Sequence, residues 1–354
     1  MWPTCYSGAK KGAKGLNRIA GFRLPVAAGL LLALTFVIGA CGGSGASESE
    51  GVSGNISIEG SSTVQPITQA AAELFREQNP EARIEVGGAG TSDGFEAFCK
   101  GETQISDASR PIDVAEEVPV CEENGVEFIE IPIAYDGISV VVNEQNDWAT
   151  DVTSEELKTM WEPAAEGKIN RWNQVRSSWP DRPLDLYGPG TESGTYDFFN
   201  ETIVGNEEEV NRSDYEASED DNVLVQGVAG DVNALGYFGY SYYENNTDKL
   251  NVLAVDGVKP TPDSIRSGEY VLSRPLFIYV STDALKKNKA VEPFVDFYLD
   301  NLDKLVLAAK YVTMPNSLEK GAYAQFEDRT TGTVFNADGE PKGGDLETAL
   351  KQSQ

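Results

Sequence analysis

Apolar residues recur along the chain in two alternating rhythms. Ile56 and Ile58 alternate with polar neighbours over Asn55–Glu59 and predict a short strand, after which Ile67, Ala71, Leu74 and Phe75 fall on one face of a helix ending near Asn79-Pro80. Ala82–Val86 reads as the next strand, followed by a glycine-rich turn and a short helix carrying Phe95 and Phe98. Phe128–Ile133 and Gly137–Val142 read as two buried strands. Residues 151–161 form an amphipathic helix pattern with Leu157, Met160 and Trp161 inward, and Asp185–Tyr187 is a strand leading into another glycine-rich turn and helix. Pro275–Ser281 is strand-like and Val291–Leu307 helical. The alternation predicts an α/β fold, and no fixed-period repeat breaks it.

The first forty residues follow a different rule. Lys10, Lys11, Lys14, Arg18 and Arg23 stand without an acid ahead of the apolar run Leu24–Ala40, the pattern of an export signal. The run ends in Ile38-Gly39-Ala40-Cys41, which resembles a bacterial lipobox, so residues 1–40 are expected to leave and Cys41 to carry lipid. An uncleaved N-terminal anchor is the alternative. Residues 41–53, rich in Gly, Ser and Glu, cannot bury a core and read as a flexible tether reaching roughly 20 Å. Processing would leave Cys99 and Cys121 as the remaining cysteines, and an oxidising compartment suggests one disulfide between them, with two buried thiols as the alternative. The remaining chain of about 300 residues exceeds the size at which one core stops growing, so two lobes are expected.

Charge narrows the function. The chain has 28 Lys+Arg against 57 Asp+Glu; removing residues 1–40, with five bases and no acids, leaves 23 against 57, a net charge of −34. Nucleic-acid binding is disfavoured. With no histidine anywhere, a His-containing triad and a His-ligated zinc site are excluded. Most of the acids, including the run from Glu207 to Asp221, read as solvated surface. Trp148, Trp161, Trp172 and Trp179 read as packing, as do Tyr237, Phe238 and Tyr240.

Three strand-to-helix turns concentrate glycine and hydroxyls: Gly60-Ser61-Ser62-Thr63-Val64-Gln65-Pro66, Gly87-Gly88-Ala89-Gly90-Thr91-Ser92-Asp93-Gly94 and Gly188-Pro189-Gly190-Thr191-Glu192-Ser193-Gly194-Thr195. A helix N-terminus offers unpaired N–H groups and positive potential, and neighbouring hydroxyls add donors, so such turns suit a tetrahedral oxyanion. Singly each is an ordinary capped helix. None matches the GxxxxGK[ST] or GxGxxG phosphate loops.

Together with Ile105-Ser106-Asp107-Ala108-Ser109-Arg110-Pro111-Ile112, Ile133-Ala134-Tyr135-Asp136-Gly137, Trp172-Asn173 and Gly236-Tyr237-Phe238-Gly239-Tyr240, these turns resemble the phosphate-binding component of Pst-type ABC importers over roughly residues 54–320. The resemblance implies a type 2 periplasmic-binding-protein fold: two α/β lobes, 54–136 with 275–345 and 137–274, a cleft between them, and a tail at 346–354. It implies phosphate bound by Thr63 and the Val64 N–H from the first turn, by Ser92 from the second, and by Ser193, the Gly194 N–H and Thr195 from the opposite lobe. Asp107 would accept a hydrogen bond from a phosphate O–H. Better-known members of the family carry an arginine four residues before the serine of Ser-Gly-Thr, where this chain has Pro189; Arg110 is the nearest candidate to replace it, with a salt bridge to the surrounding acids or to Asp107 as its alternative role. Ser62 and Glu192 are further cleft candidates. The partners implied are inorganic phosphate and the permease subunits of an ABC importer, for a monomer anchored through lipid at the outer face of the cytoplasmic membrane, with no cofactor, metal or catalytic residue. A receptor for sulfate, molybdate or tungstate, an extracellular phosphatase, and a surface scaffold are the competing readings.

Overall fold

The structure is a computed structural model that describes residues 51–191, 193–205 and 210–353. Cys41, the export signal, most of the tether, Glu192 and part of the acidic run at 206–209 lie outside the described residues. The strands are β1 (Gly54–Gly60), β2 (Ala82–Val86), β3 (Ile105–Ala108), β4 (Phe128–Asn143), β5 (Asp151–Val152), β6 (Asp185–Gly188), β7 (Glu216–Ala217), β8 (Ala234–Gly239), β9 (Leu250–Val252), β10 (Ala254–Val255) and β11 (Ser273–Ser281). Nine of them form one mixed sheet in the order β2-β1-β3-β11-β4-β8-β6-β7, with β9 added on β4; β5 and β10 pair separately.

Two long strands join the halves of this sheet. β11 runs antiparallel to β3 and to the first part of β4, from Ser273↔Gly137 to Ser281↔Phe128. Beyond Gly137, β4 exchanges that partner for β8 and β9. Around this crossing lie the parallel strands β2-β1-β3 on one side and β8-β6-β7 on the other, each covered by helices: a two-lobed α/β architecture.

The local reading of the chain differs from this in four places. The two buried strands read at Phe128–Ile133 and Gly137–Val142 are one continuous 16-residue strand, every residue of it buried. Asp136 looks like a break in sequence, but Arg274 stands beside it on β11 with a charge of opposite sign at 3.5 Å. β11 itself starts at Ser273, two residues before the apolar run. The helix read over Val291–Leu307 is two, Val291–Asp300 and Leu302–Ala308, interrupted at Asn301, whose amide bonds the Phe297 carbonyl; the apolar spacing continues across the break and conceals it. Finally, the segment read as a tail forms a helix over Leu346–Ser353 that buries Leu346, Ala349 and Leu350 and is pinned to the helix Asn316–Glu327 by Ser317–Glu347 and Gln325–Ser353 hydrogen bonds.

Aromatic residues fill the second half of the sheet as expected. Trp161 meets Phe199, Tyr215 and Tyr237 edge-on, Phe199 stacks on Tyr237 at 3.8 Å, and Trp172 lies between Trp148 and Trp179. In the first half a buried polar chain runs from the loop after β3 to the C-terminal segment: the Ile112 N–H donates to Tyr279 Oη, Tyr279 donates to Glu130, and Glu130 also accepts from Thr333 Oγ1 and the Val334 N–H. Burial raises the Glu130 carboxyl above the usual range, and these three donors oppose that shift.

Cys99 and Cys121 are joined in a disulfide, linking the end of the helix Thr91–Cys99 to the helix Glu117–Glu123. The bridge closes a loop of 22 residues. Cross-linking a loop of that length restricts the unfolded chain by about 3 kcal/mol. A Cys99→Ala, Cys121→Ala variant is therefore expected to melt on the order of 5–10 °C below the oxidised protein by calorimetry, and an unchanged melting temperature would assign the bridge no stabilising role.

Candidate functional site

The first turn begins where β1 ends. Gly60 has φ +147°, and a Cβ there would lie 2.0 Å from the Asp107 carbonyl oxygen, so only glycine lets β1 and β3 come this close. The Ser61 N–H donates to that carbonyl, while Ser61 Oγ accepts from the N–H groups of Thr63 and Val64. This tight hydroxyl-closed turn delivers the chain into the helix Gln65–Gln78, which has Pro66 in its first turn and no side-chain cap.

The second turn lies against the first, with the Gly90 N–H bonded to the Gly60 carbonyl. The helix that follows, Thr91–Cys99, also lacks a side-chain cap. Thr91 Oγ1 is bonded to Ser109 Oγ at 3.0 Å and accepts from the Ser109 N–H, tying this helix start to the loop after β3. Ser61, Ser62 and Thr63 of the first turn, Ala89 to Asp93 of the second, and Ser109 and Arg110 together line one cavity of about 360 Å³. Asp197, Glu201 and Arg274 complete its lining.

The third turn is placed differently. Ser193 caps the helix Gly194–Phe199, its Oγ accepting from the Thr195 N–H. Gly194 presses on the first turn: a Cβ there would lie 2.1 Å from Thr63 Oγ1. Ser62, Thr63, Ser92 and Arg110 thus line the cavity, whereas Val64, Asp107, Ser193, Gly194 and Thr195 are not among its lining residues.

Arg110 is committed elsewhere. Its guanidinium forms a fork with Glu117 at 2.7 and 2.9 Å, donates to Ser92 Oγ at 2.9 Å and lies over the Phe95 ring. It orients the Ser92 hydroxyl while Glu117 neutralises it, the ion-pair role left open by the sequence.

Arg274 is a cavity-lining side chain that sequence reasoning did not single out. Its Nη2 donates to Thr63 Oγ1 at 2.9 Å and to the Gly194 carbonyl at 3.1 Å, so one nitrogen touches the first and the third turns. The guanidinium lies 4.0 Å above the Phe198 ring, with Asp136 at 3.5 Å and Glu201 at 3.8 Å. A lone arginine immediately ahead of the apolar run Pro275–Ser281 was the available signal, but only the strand crossing brings residue 274 to residues 63 and 194.

Asp107 is fully buried. Oδ1 accepts from Thr68 Oγ1 at 2.9 Å, and Oδ2 has no hydrogen-bond partner. Burial, reinforced by the nearby Glu59 carboxylate and only partly opposed by Thr68, pushes its pKa up to about 8. A carboxyl with that pKa keeps its proton through neutral pH, whereas accepting from a phosphate O–H, the role expected of Asp107, belongs to its ionised form. Glu59 in turn accepts from the Ala89 N–H at 2.9 Å and fixes the second turn.

Among known proteins, a domain model described as PBP superfamily domain matches residues 45–301. Protein SphX of Synechocystis sp. is 45% identical over 289 residues, covering 80% of this chain and 85% of its own. The phosphate-binding protein PstS of Staphylococcus epidermidis is 37% identical over 305 residues, covering 84% and 91%. Among solved structures, a possible phosphate binding protein from Planctomyces limnophilus superposes with a TM-score of 0.74 at 41% identity, covering 78% of this chain and 99% of that one. A putative phosphate ABC transporter substrate-binding protein from Clostridium perfringens, solved with bound phosphate, gives 0.52 at 28% identity over 74% of this chain. Two lobes on crossing strands and a polar cavity built from helix-start turns are the architecture of a solute-binding protein. The chain belongs to the periplasmic-binding-protein superfamily and, within it, to the phosphate-binding components of Pst-type ABC importers.

The pH dependence of stability follows from Asp107. An unfolded Asp loses its proton near pH 3.9, whereas the folded one keeps it to about 8. Between those values the unfolded chain binds fewer protons, so the stability present below pH 4 is progressively lost up to pH 8 and then levels off. Asp136, Glu130 and Asp221, the last pushed up to about 7, add in the same direction. Asp107→Asn should lose clearly less stability than the parent between pH 5 and pH 8.5 in urea titrations without phosphate. Equal losses would show that the Asp107 carboxyl is ionised at neutral pH.

Proposed function

We propose that this protein captures inorganic phosphate in the cavity between its first two turns and delivers it to the permease subunits of an ABC importer. One observation carries the reading: Ser61, Ser62, Thr63, Thr91, Ser92 and Ser109 all line one small cavity at two helix starts without side-chain caps, and Asp107, two residues before Ser109, is a buried carboxyl whose second oxygen has no partner. Hydroxyls and helix-start amides are donors for the oxygens of an oxyanion. In this reading Ser62, Thr63, the Val64 N–H and Ser92 hold one side of the anion. Ser193, Gly194 and Thr195 hold the other once the third turn moves off Thr63. Relatives named as phosphate-binding proteins support the choice of anion. The surplus of acids opposes long-range capture, so affinity rests on short desolvated hydrogen bonds, each worth about 1.5–3 kcal/mol to a charged group.

The protonation of Asp107 gives the alternative oxyanions a specific place. A neutral carboxyl donates to phosphate or sulfate alike, whereas an ionised one accepts only from a ligand that keeps an O–H, which phosphate has and sulfate lacks. Discrimination between the two anions is therefore expected to widen from pH 6 to pH 9, reaching roughly 10⁴-fold where the carboxylate is ionised. Calorimetric titrations of the wild type and Asp107→Asn with both anions test this, the variant being expected to discriminate less and without that rise. A wild-type ratio that stays flat relative to the variant would remove Asp107 from selectivity, and no phosphate binding at any pH would reject the function.

The reading places the protein outside the cytoplasmic membrane, held by lipid on Cys41, on the basis of the signal and its small-residue ending. Cys41→Ser is expected to release the protein from the membrane fraction, and unaltered retention would point to an uncleaved anchor instead.

A further inference from the structure

Resting on the reading of the cavity as an oxyanion site, we propose that Arg274 is the cation that neutralises the bound anion, and that Glu201 is a resident counter-ion which the anion displaces.

The cavity is lined by two cations. Arg110 is consumed by its two-point pairing with Glu117 and by Ser92. Arg274 is differently held. It is nearly buried, with 12% of its side chain exposed, yet its carboxylate neighbours stand at 3.5 Å (Asp136) and 3.8 Å (Glu201), beyond the distance of a charge-assisted hydrogen bond. Its Nε has no hydrogen-bond partner. The Nη2 contacts with Thr63 and the Gly194 carbonyl, and the Phe198 ring beneath, fix the plane of the guanidinium without neutralising it. A buried charge in this state favours an anion that completes its pairing.

The two carboxylates are not equivalent. Asp136 lies on β4, directly paired with Arg274 in the sheet register, and is 2% exposed, so it stays in place. Glu201 lies just beyond the third-turn helix, lines the cavity and is 54% exposed, so water can solvate it when it turns away. Arg274 Nη1 faces this carboxylate. An oxyanion in the cavity competes with Glu201 for that nitrogen and takes its place.

The third turn, Gly188–Thr195, carries no lysine or arginine of its own. The cation comes from the crossing strand β11 instead of the third turn. Because Arg274 touches Thr63 and Gly194 at once, the charge that meets the anion also joins the two walls of the site.

Variants of opposite sign test the proposal by calorimetry. Arg274→Gln should weaken phosphate binding about 10- to 150-fold, the loss of one charge-assisted contact. Arg274→Lys, which keeps the charge but cannot reach Thr63 and Gly194 with a planar fork, should lose less. Glu201→Gln should tighten binding about 2- to 5-fold, since the competing carboxylate is gone. Circular dichroism and melting without ligand establish that each variant is folded, and if Arg274→Gln does not fold, Arg274→Lys and Glu201→Gln decide. Unchanged affinity in both arginine variants, or unchanged or weaker binding by Glu201→Gln, would overturn the proposal. Titrating sulfate and molybdate in parallel separates the two inferences: if the wild type binds one of these but not phosphate, the choice of anion fails while the same variants still test Arg274 against that anion. Binding of none of the three rejects both.

Discussion

A guanidinium held almost out of water between two halves of a protein sets conditions on everything around it. Arg274 must be compensated where it lies, because moving a full charge into a low-dielectric site without a partner costs several kcal/mol. The sheet supplies part of that compensation by placing Asp136 beside it on the neighbouring strand, at 3.5 Å. β4 can therefore continue through a charged position as a fully buried strand, and β11 can enter the crossing two residues before its apolar run begins. The crossing in turn fixes the relation of the first turn to the third, since Arg274 bonds Thr63 and the Gly194 carbonyl from one nitrogen.

Glycine makes this closeness sterically possible. Side-chain carbon at Gly60 would strike the Asp107 carbonyl, at Gly94 the Gly60 Cα, and at Gly194 the Thr63 hydroxyl. These three positions bring β1, the second helix start and the third turn together at one place. The polar groups crowded there are then served locally: Ser61 closes its own turn, Thr91 and Ser109 bond each other, and Glu59 takes the Ala89 N–H. One oxygen of Asp107 is left over, and burial raises its carboxyl pKa to about 8.

The acidity of the chain takes on a definite meaning in this setting. Asp93, Asp197 and Glu201 line the cavity along with two arginines, one of which is already neutralised by Glu117. A site with so little free positive charge holds an anion by directed hydrogen bonds and one cation, an arrangement that favours selectivity over attraction at a distance.

The sequence by itself determined the α/β alternation, the three hydroxyl-rich turns and the aromatic packing around Trp161 and Trp172, because each is written in local spacing, and it suggested the pairing of Cys99 with Cys121, which the structure shows. It also contained the motifs that mark the family. It did not contain the unity of β4, since a strand buried on both faces has no alternation to read and Asp136 looks like an interruption. Nor did it show the partners of the two arginines: Arg110, three residues from Asp107, was read as a candidate ligand, while Arg274, just ahead of the strand at Pro275–Ser281, was given no role. Only the tertiary structure showed those partners, because the partner of a charge is whatever lies within a few ångströms of it. Glu117 reaches Arg110 from seven residues on, and Thr63 reaches Arg274 from 211 residues away.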